Sequence, residues 1–91
     1  MPDKRAFVYI LRCADNTLYI GTAKDVAARL KQHNARRGAK YTKSRLPVRL
    51  VYRAGPISLT RALRREYHLK RLTRPQKLAL IRGKLAVKLP R

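Results

Sequence analysis

The run Phe7-Val8-Tyr9-Ile10-Leu11-Arg12-Cys13 constrains this chain more than any other segment. Alternation puts Phe7, Tyr9, Leu11 and Cys13 on one face and Val8, Ile10 and Arg12 on the other, and both faces are mostly apolar. A strand of that kind has to be covered on both sides, which places it in the middle of a sheet. A chain of 91 residues can build only one core around it, so residues 1–91 read as a single domain.

The turn formers Ala14-Asp15-Asn16-Thr17 lead to Leu18-Tyr19-Ile20-Gly21, a second strand ending at Gly21, so the two runs form a hairpin. Asp25 caps a helix to about Asn34, with Val26, Ala27 and Leu30 on its apolar stripe. Residues 35–47 are polar and basic and carry Gly38, which marks a loop. Val48-Arg49-Leu50-Val51-Tyr52 then alternates as a third strand, and Gly55-Pro56 stops it. Ser58 caps a second helix to about Leu72. Thr73, Pro75 and Gln76 supply the cap, first-turn proline and capping-box residue of a third helix, which Gly83 ends. The predicted fold is α+β in the order ββαβαα, with a core over about residues 6–83 and a basic tail at 84–91. In that tail Leu85, Val87 and Leu89 could alternate as an added strand.

The chain carries 24 Lys and Arg against 4 Asp and Glu, a formal charge of +20 spread from Lys4 to Arg91. Phosphate backbones bind such a molecule through counterion release, so a polyanion is the expected partner. Charge alone does not separate an enzyme from a ribosomal-type binder. Cys13 is the only cysteine, which excludes an intramolecular disulfide, and no signal-peptide h-region precedes the first strand, so a cytoplasmic setting is expected. No apolar run approaches the roughly 18 residues of a membrane span.

Against this basic background the single glutamate, Glu66, is conspicuous. A helical wheel places Leu59, Ala62, Leu63, Tyr67 and Leu69 on the apolar stripe of the second helix, with Glu66 inside it. The bland account is an i,i+4 ion pair with Lys70, or a pair with Arg64 or Arg65. The alternative is a hard oxygen ligand for Mg²⁺ at a phosphodiester-cleaving site. Tyr9 and Tyr19, on neighbouring strands, are either packing residues or phenols tuned for general base work. Gly21 either turns the chain or lets a ligand approach closely. Arg29 and His33, spaced i,i+4 beside the apolar stripe, are either a solvated basic face or a phosphate clamp and a proton-transfer partner. Lys24, Arg36, Lys40, Lys43 and Arg45 are candidate phosphate contacts, with Tyr41 stacking on a base or tucking back onto the sheet. His68 and Cys13 lack companions at ligand spacing, which argues against zinc.

Phe7-Val8-Tyr9, Tyr19-Ile20-Gly21, Arg29 with His33 on a helix and Glu66 on a later helix, in that order, resemble the GIY-YIG nuclease superfamily. Gly38-Ala39-Lys40-Tyr41-Thr42, Arg45-Leu46-Pro47-Val48 and Leu50-Val51-Tyr52 are similar to the middle stretch of its small stand-alone bacterial members. The likeness covers about residues 6–83. It implies a three-stranded antiparallel sheet flanked by helices, one divalent ion (Mg²⁺ or Mn²⁺) held by Glu66, a motif tyrosine, Tyr9 or Tyr19, activating water, and Arg29 stabilising phosphorane-like charge. Phe7 stands where the first motif has glycine. Leu78-Ala79-Leu80 stands where many larger members have an asparagine.

The expected activity is therefore metal-dependent cleavage of DNA, structure-selective or nonspecific, by an endonuclease or a nuclease-like repair factor without a required protein partner. Two other classes stay open: a binding module of the same fold with little or no catalysis, and an RNA- or ribosome-associated basic protein. Cleavage that needs a metal separates the first from the second, and preference for RNA over DNA marks the third.

Overall fold

The computed structural model describes residues 4–83. Its centre is β1 (Arg5–Arg12), paired antiparallel on one side with β2 (Leu18–Ala23) and on the other with β3 (Arg49–Ser58), in the order β2-β1-β3. Both faces of β1 are buried, as its alternation requires. Val8 and Ile10 pack with Ile20, Ala62, Leu69 and Leu80 on one side. Tyr9, Leu11 and Cys13 pack with Val26 and Val48 on the other.

Among the described residues four helices form the outer layers. The helix α1 (Val26–Asn34) lies on the Tyr9 face, its N-terminus capped by the Asp25 carboxylate accepting from the Ala28 N–H. Val26 and His33 point inward, whereas Ala27, expected on the apolar stripe, is exposed. The helices α3 (Leu59–Lys70) and α4 (Arg74–Ile81) cover the Val8 face. Ser58 caps the first of these. Thr73 and Gln76 form the capping box of the second, as their spacing predicts. Gly83 follows with φ +73, a left-handed value that suits a glycine beyond a helix end.

Three expectations are corrected. Residues 35–47 are not all loop: they hold the short helix α2 (Lys40–Lys43), too brief to leave a periodic signal. Gly55-Pro56 does not stop the third strand, because β1 keeps pairing past it. A register shift between Ala6 and Val8 absorbs the extra residue, and Gly55 sits at φ +129, open to glycine alone. Gly21 lies within β2 and not at its end. The added strand considered for Leu85, Val87 and Leu89 lies outside the described residues.

Asn34 closes the loop between α1 and β3. Its side-chain Nδ2 donates to the Val48 carbonyl at 3.0 Å, and its Oδ1 accepts from the Val48 N–H at 2.8 Å. One side chain thereby replaces a ladder partner just before β3 begins, fixing both ends of the segment that carries α2. Removing it leaves two half-buried backbone groups unpaired, at about 1–3 kcal/mol each before water compensates. Asn34→Ala is accordingly expected to lower the unfolding free energy in urea by about 1–3 kcal/mol, and an unchanged midpoint would show that the clip is dispensable.

Candidate active site

Tyr9 projects from the middle of β1 directly opposite Gly21. A Cβ at Gly21 would stand 2.6 Å from the Tyr9 hydroxyl oxygen and 2.7 Å from Cζ, so the glycine exists to let the tyrosine ring lie across β2. That ring carries the hydroxyl to His33, whose Nε2 is 3.1 Å away. The His33 Nδ1 meets Thr42 Oγ1 at 2.9 Å, and Gly38 lies so close that any side chain there would collide with the imidazole.

Donor counting gives these bonds a direction. The Thr42 hydroxyl has one proton, and it donates that proton to the Ala39 carbonyl at 2.9 Å. Thr42 Oγ1 therefore accepts from His33 Nδ1–H, which leaves Nε2 as the unprotonated nitrogen that accepts from the Tyr9 hydroxyl. The resting arrangement is a neutral imidazole poised to take the phenol proton. Electrostatics agree: burial holds the His33 pKa below its ordinary 6.5, with the nearby Arg29 guanidinium adding to the effect. Burial likewise raises the Tyr9 pKa, while Arg29, in hydrogen-bonding reach of the hydroxyl, opposes the rise.

His33 is fully enclosed, so it cannot touch a phosphate, one of the two roles expected of it. Arg29 is half-exposed, with its Nη1 donating to Gln32 Oε1 at 2.9 Å. Tyr19 shares the Tyr9 face and sets its ring edge-on to His33, with centroids 5.3 Å apart. Tyr41 tucks onto the sheet: its ring stacks on Tyr19 at 6.0 Å, and the Arg45 guanidinium lies 3.9 Å over it. Arg45 is in turn paired with Asp15 at 3.0 Å and donates to the Tyr41 carbonyl. Of the two readings left open for Tyr41 the structure shows the tucked one, with 40% of the residue still exposed at the groove. Lys24, Arg36, Lys40 and Lys43 are exposed cations.

Glu66 enters from the other side of the sheet. The inward line of α3 is Leu59, Ala62, Glu66 and Leu69. Leu63 and Tyr67, expected beside them, are 52% and 58% exposed. The helix is rotated because Ala62, fully buried, lets it approach β1 and β2 closely on that line. The Glu66 side chain remains 22% exposed. Its Oε1 accepts from Thr22 Oγ1 at 2.6 Å and its Oε2 from Lys70 Nζ at 2.8 Å, so the i,i+4 pair is present. A groove lined by Leu18, Tyr19, Ile20, Tyr41, Lys70 and Lys77 runs alongside.

Among the described residues no three His, Cys, Asp or Glu side chains converge. A divalent cation would have Glu66 as its one carboxylate ligand, with water and phosphate oxygens completing the shell. That donor set suits Mg²⁺, provided Lys70 swings aside. Sequence reasoning missed Thr22, Thr42 and Gly38, whose parts depend on contacts between distant segments.

The model of the GIY-YIG catalytic domain matches residues 5–79. The chain belongs to the GIY-YIG family. UPF0213 proteins of Staphylococcus aureus strains Mu3 and N315 are each 54% identical to this GIY-YIG domain over 76 residues, 84% of this chain and 93% of theirs. The solution NMR structure of a UPF0213 protein from Bacillus halodurans is 42% identical and superposes with a TM-score of 0.57 over 88% of this chain and 85% of that one. Membership supports a nuclease-like role with a nucleic-acid substrate. The stretch Leu78-Ala79-Leu80 lies in α4, with Leu80 in the core. Among the described residues no helix is long and apolar enough to cross a membrane.

The depressed His33 pKa makes a stability prediction. Below about pH 6.5 the unfolded chain takes up a proton that folded His33 refuses, so the contribution of the neutral ring is complete above 6.5 and is lost as pH falls toward the lower, folded pKa. Urea unfolding from about pH 8 to about pH 5, above the carboxylate range, is expected to show falling stability in the parent and in His68→Gln, and a flatter profile in His33→Gln. A fall that persists in His33→Gln would assign it to another group.

Proposed function

We propose that this chain is a metal-dependent endonuclease that hydrolyses phosphodiester bonds in DNA, with Tyr9 as the general base. The observation that carries the reading is the directed chain Tyr9 O–H to His33 Nε2, with His33 Nδ1–H to Thr42 and Thr42 to the Ala39 carbonyl. A phenol of raised pKa is a poor base unless its own proton has somewhere to go. Here the attacking water gives a proton to the Tyr9 oxygen as the Tyr9 proton passes to His33 Nε2, and water oxygen bonds to phosphorus as the leaving oxygen departs as an alkoxide that takes a proton from solvent. Atoms and charge balance, and His33 ends as the imidazolium. Tyr9 is 2% exposed, which suits a base acting on water better than a direct substrate contact.

Arg29, beside the same hydroxyl, steadies both the developing phenolate and the phosphoryl charge. Glu66 is the residue that would hold a divalent cation, and the chemistry such an ion supplies is neutralisation of charge growing on the phosphate oxygens. Tyr19 lines the groove and sets its ring against His33, which makes it a substrate-facing and packing residue. Selectivity for the shape of the DNA, or none, is the specificity this reading expects. The stretch Leu78-Ala79-Leu80, with Leu80 in the core, stands in the region where the resemblance implies an asparagine, and it favours a second reading, a nucleic-acid-binding module of low turnover.

Cleavage assays on linear, nicked, branched and single-stranded DNA with Mg²⁺, Mn²⁺ or chelator separate these readings. The parent is expected to cut one or more forms only with metal. Tyr9→Phe should slow cutting by about 100- to 10,000-fold, and Glu66→Gln should abolish it, with both variants still binding DNA. Full activity in Tyr9→Phe with loss in Tyr19→Phe would move the base to Tyr19, and no cutting by the parent on any form would leave the binding module.

A further inference from the structure

At the end of the sheet away from Gly55, Arg12 of β1 and Arg49 of β3 stand directly opposite one another and share a face. Like charges in that relation repel, and natural sheets ordinarily place a carboxylate or an apolar residue in one of the two positions. None is at hand here. Among the described residues Asp15 is paired with Arg45, Glu66 with Lys70, and Asp25 caps α1. The Arg12 Nε is also closed off from solvent without an acceptor, although enclosed donors are otherwise satisfied nearly throughout folded proteins. Both arginines line one cleft, whose wall is completed by Asn16, Pro47 and Val48.

Two adjacent guanidiniums lining one cleft are what a tetrahedral oxyanion neutralises, because each fork can engage a pair of its oxygens. We propose that Arg12 and Arg49 form a second phosphate site, which grips one non-scissile phosphate of the bound nucleic-acid strand. It is separate from the Tyr9 cluster: Arg12 is three residues further along β1, about 10 Å of extended chain, and points from the opposite face. The turn at its rim is fixed by Arg74, whose Nη2 donates to the Asn16 carbonyl at 2.8 Å, so the cleft is framed by structure that does not depend on ligand. The inference rests on the nucleic-acid reading above for the source of its phosphate, and not on cleavage.

The test is a double-mutant cycle on binding. Arg12→Gln, Arg49→Gln, the double variant and the exposed control Lys31→Gln are titrated with a labelled DNA oligonucleotide across a salt series, and separately warmed with inorganic phosphate or with chloride at matched ionic strength. If both arginines hold one phosphate, each single change is expected to weaken DNA binding about as much as the double change. The salt slope should then fall by about one phosphate's worth, roughly 0.7–0.9. Relief of the like-charge pair should leave each variant at least as heat-stable as the parent, which excludes unfolding as the cause. Saturable stabilisation of the parent by inorganic phosphate, lost in the double variant, without coupling on DNA would keep the site but overturn the nucleic-acid source. Losses that simply add, each the size of the Lys31→Gln loss, with no effect of phosphate, would overturn the site itself. Failure of the parent to bind DNA at all would refute the nucleic-acid reading and with it the proposed source, while the phosphate arm still decides whether the arginines form a site.

Discussion

The hydrogen bond from the Tyr9 hydroxyl to His33 Nε2 is the contact around which the Tyr9 side of this molecule is arranged. It joins the central strand to α1 inside a layer where an unpaired polar group would be costly, so every neighbour is shaped to it. Gly21 leaves room for the ring, Gly38 leaves room for the imidazole, and Thr42 occupies the second ring nitrogen. The segment bearing Gly38 and Thr42 is tied down at its far end by Asn34 holding Val48. A loop that sequence composition marks as solvent-facing is thereby part of the support of the Tyr9–His33 pair.

Among the described residues carboxylates are scarce enough that each one has a definable task. Asp25 caps α1, Asp15 holds Arg45 over Tyr41, and Glu66 faces inward against Thr22 and Lys70. The remaining cations repel one another in the free protein, and a polyanion relieves that repulsion across the whole surface. The Lys70 ammonium on Glu66 belongs to the same economy: it balances the carboxylate at rest and lies at the groove, where phosphate oxygens offer it another partner.

Much of the fold was legible because the informative signals are local. Alternation in Phe7–Cys13 marked a strand buried on both faces, and Asp25, Ser58 and the Thr73–Gln76 box marked helix starts with a specific hydrogen bond each. The failures share one cause, which is that pairing between distant segments overrides a local preference. Gly55-Pro56 carries stop signals, yet β1 continues to pair beyond it through a bulge. Leu63 and Tyr67 belong to a stripe by hydrophobicity, yet Ala62 sets which side of α3 meets the sheet, and Arg71 donates to the exposed Tyr67 hydroxyl. At the candidate site, Tyr9, Arg29, His33 and Glu66 were singled out by residue type, spacing and resemblance, and the structure brings Tyr9, Arg29 and His33 together. Thr42 was not, because a threonine in a basic loop says nothing of the imidazole it will orient.

The most direct test is the protonation state of the His33 ring, read from its nitrogen and proton resonances in the intact, metal-free protein at neutral pH. The account expects a neutral imidazole protonated on Nδ1, with Nε2 accepting from Tyr9. An Nε2-protonated ring, or an imidazolium, would contradict it, because neither leaves a nitrogen able to receive the tyrosine proton.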